Sequence, residues 1–190
     1  WNAQRALECD LKKLRCMGLK LNCLFNANCY GEYSLSRHLE NRVCSIIKQC
    51  NDTVGGVDSV TTTSFAVART LQCMFPGIEV RASVNMRIGT TEAMAYAADF
   101  FDGFYLWRDV QRNFEYVKSV KKWCDSSGKK LYMLANSGCL YQCPAQTFHD
   151  NMVAHGARID TMNNTSDWTP HLCRNIFANK KRRPAVLKGS

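Results

Sequence analysis

The chain has 190 residues, 46% hydrophobic and 22% charged, with a net charge of +9 and eleven cysteines. Such a composition suits one globular domain with a real core and excludes a disordered chain. No apolar run approaches the ~18 residues of a membrane span, and the cysteine content falls short of the ~8–10% of a disulfide scaffold, so a reducing, cytoplasmic setting is expected.

The opening "WNAQRALECDLKKLRCMGLK" has neither an initiator Met nor a signal peptide, and reads as the start of a fragment or processed product. A first β-rich run follows at 20–25 ("KLNCLF"). In 35–50, Leu35, Leu39, Val43, Ile46, Ile47 and Cys50 recur at steps of three and four, which predicts a helix. "SVTTT" (59–63) predicts a second strand, and "SFAVARTLQCMF" a helix capped by its serine. Gly77 reads as a helix stop before a third strand, "IEVRASV" (78–84). "TTEAMAYAADFF" predicts another helix, "FDGFYL" (101–106) a fourth strand, and 110–124 a helix with Val110, Phe114, Val117, Val120 and Cys124 on one stripe. Gly128 precedes a fifth strand at 129–135, and a weak sixth lies at 183–187. Cys44, Cys50, Cys73 and Cys124 fall inside the periodic segments and read as small apolar core residues.

Strands alternating with helices imply right-handed parallel βαβ units. Two closures compete, an open doubly wound sheet and a barrel. The first strand-to-helix turn, "NANCYGEYS", lacks the glycine fingerprint of a dinucleotide-binding sheet. A complete (β/α)8 barrel takes about 250 residues. The expected fold is therefore α/β, a partial (β/α)8 TIM-type barrel in a single domain over residues 1–190, with five to six units and the last cut at "KGS".

In either closure ligands meet the C-terminal ends of the strands. Asn26 and Asn28 follow the first strand, Asn85 and Arg87 the third, Trp107 and Arg108 the fourth, and Asn136, Cys139 and Cys143 the fifth. Asn26, Asn85, Arg87 and Arg108 are the candidate substrate contacts, arginine being suited to carboxylate or phosphate. "NSGC" is a turn, and "CPAQTFHDNMVAH" is expected to open a helix with Pro144 in its first turn and Cys143 near the cap, where a helix dipole favours a thiolate.

Several uses of Cys139 and Cys143 stay open, including two buried thiols with no role. A thiol–disulfide exchanger usually has Cys-x-x-Cys, one residue tighter than here. A radical-type cluster wants a third cysteine nearby, and 144–147 supply none. Zinc would recruit His149 and His155, but six residues place them about 240° apart on a helix, so zinc is the weaker metal. An iron–sulfur cluster takes four ligands, normally thiolates. Cys139, Cys143 and Cys173 supply three, and the fourth is Cys29, His149 or a residue beyond Ser190. Asn136, His149 and His155 are expected around the metal. "KKRR" (180–183) is either a solvated basic loop or a contact for phosphate backbones.

"VNMRIGTTEAMAYAADFFDGFYLWRDVQRNFEYVKSVKKW" followed by "LYMLANSGCLYQCPAQTFHDNMVAH" resembles the collagenase-like peptidase family (peptidase family U-thirty-two). The closer likeness is to the branch with a strand-end N-x-G-C-x-x-x-C-P and a following H-x-x-x-x-x-H, and it runs from about residue 19 to the end. The resemblance implies a (β/α)8 barrel, a cysteine-bound four-iron four-sulfur cluster, and oxygen-independent hydroxylation of ubiquinone precursors or RNA bases with prephenate as oxygen donor. By position it makes Cys139, Cys143 and Cys173 cluster-type cysteines. The family's peptidase signature, Glu-x-Phe then Gly-Ala-x-Cys ending in Gly-x-Cys, is absent, and "LANSGCLYQC" stands in its place. No Ser–His–Asp set of suitable spacing replaces it, although His149 with a neighbouring cysteine is a candidate dyad. The leading expectation is an iron–sulfur-dependent hydroxylase or modifying enzyme acting on an RNA base or aromatic metabolite. A collagenase-like peptidase and a non-catalytic RNA-binding module are the alternatives. Partners would be a small molecule or RNA, with room for a homo- or hetero-oligomer.

Overall fold

The computed structural model describes residues 2–135, 139, 141–164 and 178–181. Helix α1 (Asn2–Cys16) leads into strand β1 (Asn22–Phe25). Then follow α2 (Arg37–Val54), β2 (Ser59–Thr62), α3 (Phe65–Met74), β3 (Glu79–Ala82), α4 (Thr91–Ala97), β4 (Gly103–Tyr105), α5 (Phe114–Ser126), β5 (Lys130–Tyr132), α6 (Gln146–Ala154) and α7 (Gly156–Ile159). Among the described residues the four strand pairings are all parallel, and the sheet order is β1-β2-β3-β4-β5. A doubly wound sheet reverses its strand order at a switch point; this one runs in sequence, as a barrel does. The partial-barrel expectation holds, and the weak sixth strand lies outside the described residues.

The two faces of the sheet differ chemically. Cys23, Phe25, Val60, Val80, Ala82, Phe104 and Leu131 share one core cluster with Val43 and Ile47 of α2, Val67 and Leu71 of α3, Met94 of α4, and Val120 and Cys124 of α5. The residues alternating with them are Asn22, Leu24, Ser59, Thr61, Glu79, Arg81, Tyr105, Lys130 and Tyr132. That is the period of two of a pleated strand, with α2, α3, α4 and α5 packed on the apolar face. Among the described residues no helix is long and apolar enough to cross a membrane.

The helix caps follow the sequence closely. Ser64 Oγ accepts from the Val67 amide and Thr90 Oγ1 from that of Ala93. Gly128, at φ 65°, ends α5 as expected. Elsewhere the ends move. Ser36 caps α2, so Leu35 precedes the helix and is 90% exposed. Asn113 caps α5, so Val110 lies in a turn ahead of it and Phe114, its first residue, is exposed. Helix α3 stops at Met74, before Pro76 and Gly77. Of the four core cysteines, Cys124 is buried, Cys44 and Cys50 are half-buried, and Cys73 is exposed.

Opposite the helices, polar side chains satisfy one another across strands. Glu79 accepts from Arg81 Nε at 2.9 Å, from Lys130 Nζ at 2.9 Å and from the Tyr132 hydroxyl. The Arg81 guanidinium carbon lies 4.3 Å from the Tyr132 ring centroid, and Tyr132 stacks on Tyr105 at 5.1 Å. Gly103 makes room for this stack. A Cβ there would sit 2.8 Å from Tyr132 Cε2 and 3.1 Å from the Lys130 carbonyl. Gly103→Ala is expected to cost about 1–2 kcal/mol in denaturant unfolding, at the lower end of the overpacking range because the ring can yield a little.

Candidate functional site

Helix α6 lies against the loops that leave the C-terminal ends of β1 and β3, and one carboxylate holds it there. Asp150 Oδ2 accepts from Asn28 Nδ2 at 2.8 Å, on the loop after β1, and from Arg87 Nη2 at 3.3 Å, on the loop after β3. Arg87 also donates through Nη1 to Thr147 Oγ1 at 3.0 Å. It adopts the left-handed conformation (φ 56°, ψ 37°) at the end of a 3-10 turn over Val84–Met86. Such a backbone is uncommon for a side-chain-bearing residue and persists where surrounding contacts hold it. Asn85 Nδ2 donates to the Asn26 carbonyl at 3.3 Å and so ties the same two loops together. Asn26, Asn85 and Arg87, all candidate substrate contacts, thus meet on one face; Arg87 fastens α6, while Asn85 and Asn26 hold each other.

The second cluster joins β4 to the cysteine segment. Arg108 Nη1 lies 2.8 Å from Cys139 Sγ, which sets a cation against the first thiol of the motif. Cys143 differs from expectation. Its carbonyl accepts from the Gln146 amide at 3.1 Å, closing a turn, and the helical pattern begins only where His149 N reaches the Ala145 carbonyl at 2.9 Å. Cys143 and Pro144 therefore precede α6, with Ala145 at the N-cap. His149 lies within α6, whereas His155 ends it, so the two histidines do not share a helix. Asn136 and Cys173 lie outside the described residues.

Sequence reasoning missed Asp150, Gln111 and Gln146. Trp107 Nε1, Gln111 Oε1, Gln146 Nε2 and Asn28 Oδ1 are buried without a hydrogen-bond partner among the described residues. Buried polar atoms ordinarily have one, and these four lie on the strand-end loops or at the start of α6. The signal available beforehand was weak: Gln111 falls in "VQRNFE" and Asp150 in the "HDN" of the cysteine block. Beside this region, Cys29 and His155 line one cavity of about 500 Å³ between the β1–α2 loop, α2 and the α6–α7 junction.

Against known proteins, the solved structure of a U32 peptidase, Mk0906, matches with a TM-score of 0.70 and 16% identity, over 86% of this chain. In fold the chain is similar to a U32 peptidase. It spans 64% of that structure's length. No family model and no curated protein matches the chain.

A four-iron cluster calls for four protein ligands. By donor type Cys139 and Cys143 suit two of those positions, two thiols on one short segment beyond β5. Among the described residues no three Cys, His, Asp or Glu side chains gather to hold a metal ion, so the pair needs ligands from outside that set.

Proposed function

We propose that the chain is the cysteine-bearing part of a U32-type barrel enzyme, acting in oxygen-independent hydroxylation or a related modification of an RNA base or aromatic metabolite in a reducing, cytoplasmic setting. The observation that carries this reading is the Arg108–Cys139 contact at 2.8 Å, beyond the strands of a sheet whose order is that of a barrel. Cys139 and Cys143 would hold a four-iron four-sulfur cluster with Cys173 and one further ligand from outside the described residues, since neither Cys29 nor His149 gathers with the pair. When bound, the cluster would supply electron transfer or substrate activation. Arg108 would offset the negative charge of metal-bound sulfur. Arg87, Asn28 and Asp150 hold α6 and the turn ahead of it in place, and Asn26 and Asn85 order the opposite loop.

The test is purification of the chain without oxygen, followed by iron and acid-labile sulfide analysis and a visible spectrum. Brown protein with iron and sulfide in matching amounts is expected. Cys139→Ser with Cys143→Ser should remove both while leaving the far-ultraviolet circular dichroism unchanged. A colourless, iron-free anaerobic preparation would refute the cluster. The fold likeness favours one second reading, a collagenase-like peptidase, and cleavage of casein or gelatin by metal-defined protein would decide for it.

A further inference from the structure

The cavity of about 500 Å³ beside α6 has a lining that is divided by chemistry. Its apolar part comes from Phe25, Leu39 and Val43, which belong to or pack on the core. Its polar part comes from Arg42, Arg158, His38 and His155, with Glu32 as the single carboxylate among the lining residues. This volume falls in the range of small-molecule sites, about 300–1,000 Å³, and the pairing of an apolar body with convergent polar groups is what such sites share.

Arg42, exposed on α2, brings a cation to the rim of this cavity. Arg15, Arg81 and Arg87 each engage a carboxylate. Arg42 makes no hydrogen bond or ion pair among the described residues, although it borders the cavity. Arg158 reaches Glu32 only at 3.9 Å, the outer limit of an ion pair, and both side chains are exposed. The lining therefore has an excess of cation that no carboxylate among the described residues neutralises closely. Tyr33 and His38, both among the lining residues, are in tilted ring contact at 4.9 Å. His155 stands across from Gly31, whose φ of 57° brings the backbone close, with His155 Cε1 3.7 Å from where a Cβ would lie.

We infer that this cavity binds a small organic anion, with a flat apolar body against Phe25 and Leu39 and one oxyanion head, carboxylate or phosphate, on Arg42. Guanidinium groups suit either head, since both present paired oxygens to its fork of donors. The site needs no metal and is independent of the cluster reading. Its position across the α6–α7 junction lets occupancy be read at His155.

The experiment is calorimetric titration of the full chain with 3-phenylpropanoate, phenyl phosphate, inorganic phosphate and the neutral 3-phenylpropan-1-ol, with histidine ring resonances followed by NMR. At least one aryl anion should bind and shift His155. Inorganic phosphate and the alcohol should bind at least about tenfold more weakly, each lacking one half of the recognition. Arg42→Gln, at an exposed position that leaves the core untouched, should weaken the aryl anion about tenfold or more, the order expected for a charge-assisted hydrogen bond. Whether the carboxylate or the phosphate binds better identifies the head group. The inference is overturned if neither aryl anion binds, if the alcohol or inorganic phosphate binds as tightly, or if Arg42→Gln leaves affinity unchanged.

Discussion

Glu79→Ala is expected to destabilise the fold by about 3 kcal/mol, the lower end of the range for removing one partner of a buried ion pair. Glu79 and Arg81 project from the same face of β3, two residues apart, with side chains 18% and 17% exposed. Removing the carboxylate leaves Arg81 half-desolvated over the Tyr132 ring and strips Lys130 and the Tyr132 hydroxyl of their acceptor. The charge state makes a second measurement available. Burial raises the Glu79 pKa, but hydrogen bonds from Arg81, Tyr132 and Lys130 outweigh it and bring the value from the ordinary 4.5 down to about 2. Burial and the hydrogen bond to Glu79 push Tyr132 the other way, to about 12. Because the folded-state pKa of Glu79 is depressed, its contribution is complete above pH ~4.5 and is lost as pH falls toward about 2. Urea unfolding from pH 6 down to pH 2 should show that loss, on the order of 2 kcal/mol after allowance for partial exposure. The same series with Glu79→Gln should be flatter over that window. An equally steep profile in the variant would show that another carboxylate governs acid stability.

Asp150→Ala is expected to undock α6 without unfolding the sheet. Asp150 is 17% exposed and joins Arg87 and Asn28 from two different loops, so its loss leaves one cation and one amide without their shared acceptor. A cost of about 2 kcal/mol for a half-buried charged hydrogen-bond pair corresponds to roughly thirtyfold faster local opening. Hydrogen exchange should accelerate by that factor in 146–154 and stay unchanged in β2, β3 and α3. Asp150→Asn, which keeps an acceptor for Arg87, should fall between. Uniform acceleration across the domain would instead make α6 part of the global folding unit. The turn carrying Cys143 runs straight into this helix, so the variant should loosen that turn as well.

The α/β alternation is legible because each element carries its own signal. "IEVRASV" alternates apolar and polar residues, and Val80 and Ala82 do face the helices while Glu79 and Arg81 face away. Ser64 and Thr90 announce their helices because a cap is a contact within four residues. The stripe over 35–50 is right at Val43 and Ile47 and wrong at Leu35, where Ser36 starts the helix one residue too late to bury it. Helix α1 reads only as a mixed stretch because it has no buried residue. It is attached by polar contacts, with Arg15 donating to Asp58 and to the Gly55 carbonyl.

The candidate site is only partly legible. Assigning Asn26, Asn85, Arg87, Arg108 and Cys139 to strand-end loops needs nothing beyond strand order and a general rule about parallel sheets. Their partners could not be read in the same way: Arg87 meets Asp150 63 residues later, Asn28 meets it 122 later, and Arg108 meets Cys139 31 later. The sequence by itself determined the local, periodic features, namely which segments are strands and helices, which face of each is apolar, and that polar residues and thiols gather after the strands. Only the tertiary structure decided that the sheet runs in sequence, that α6 is pinned by one carboxylate, and that Arg42 is left facing a cavity. The physical reason is range: caps and hydrophobic stripes are fixed by neighbours a turn away, whereas these contacts exist only once distant loops have been brought to the same end of the sheet.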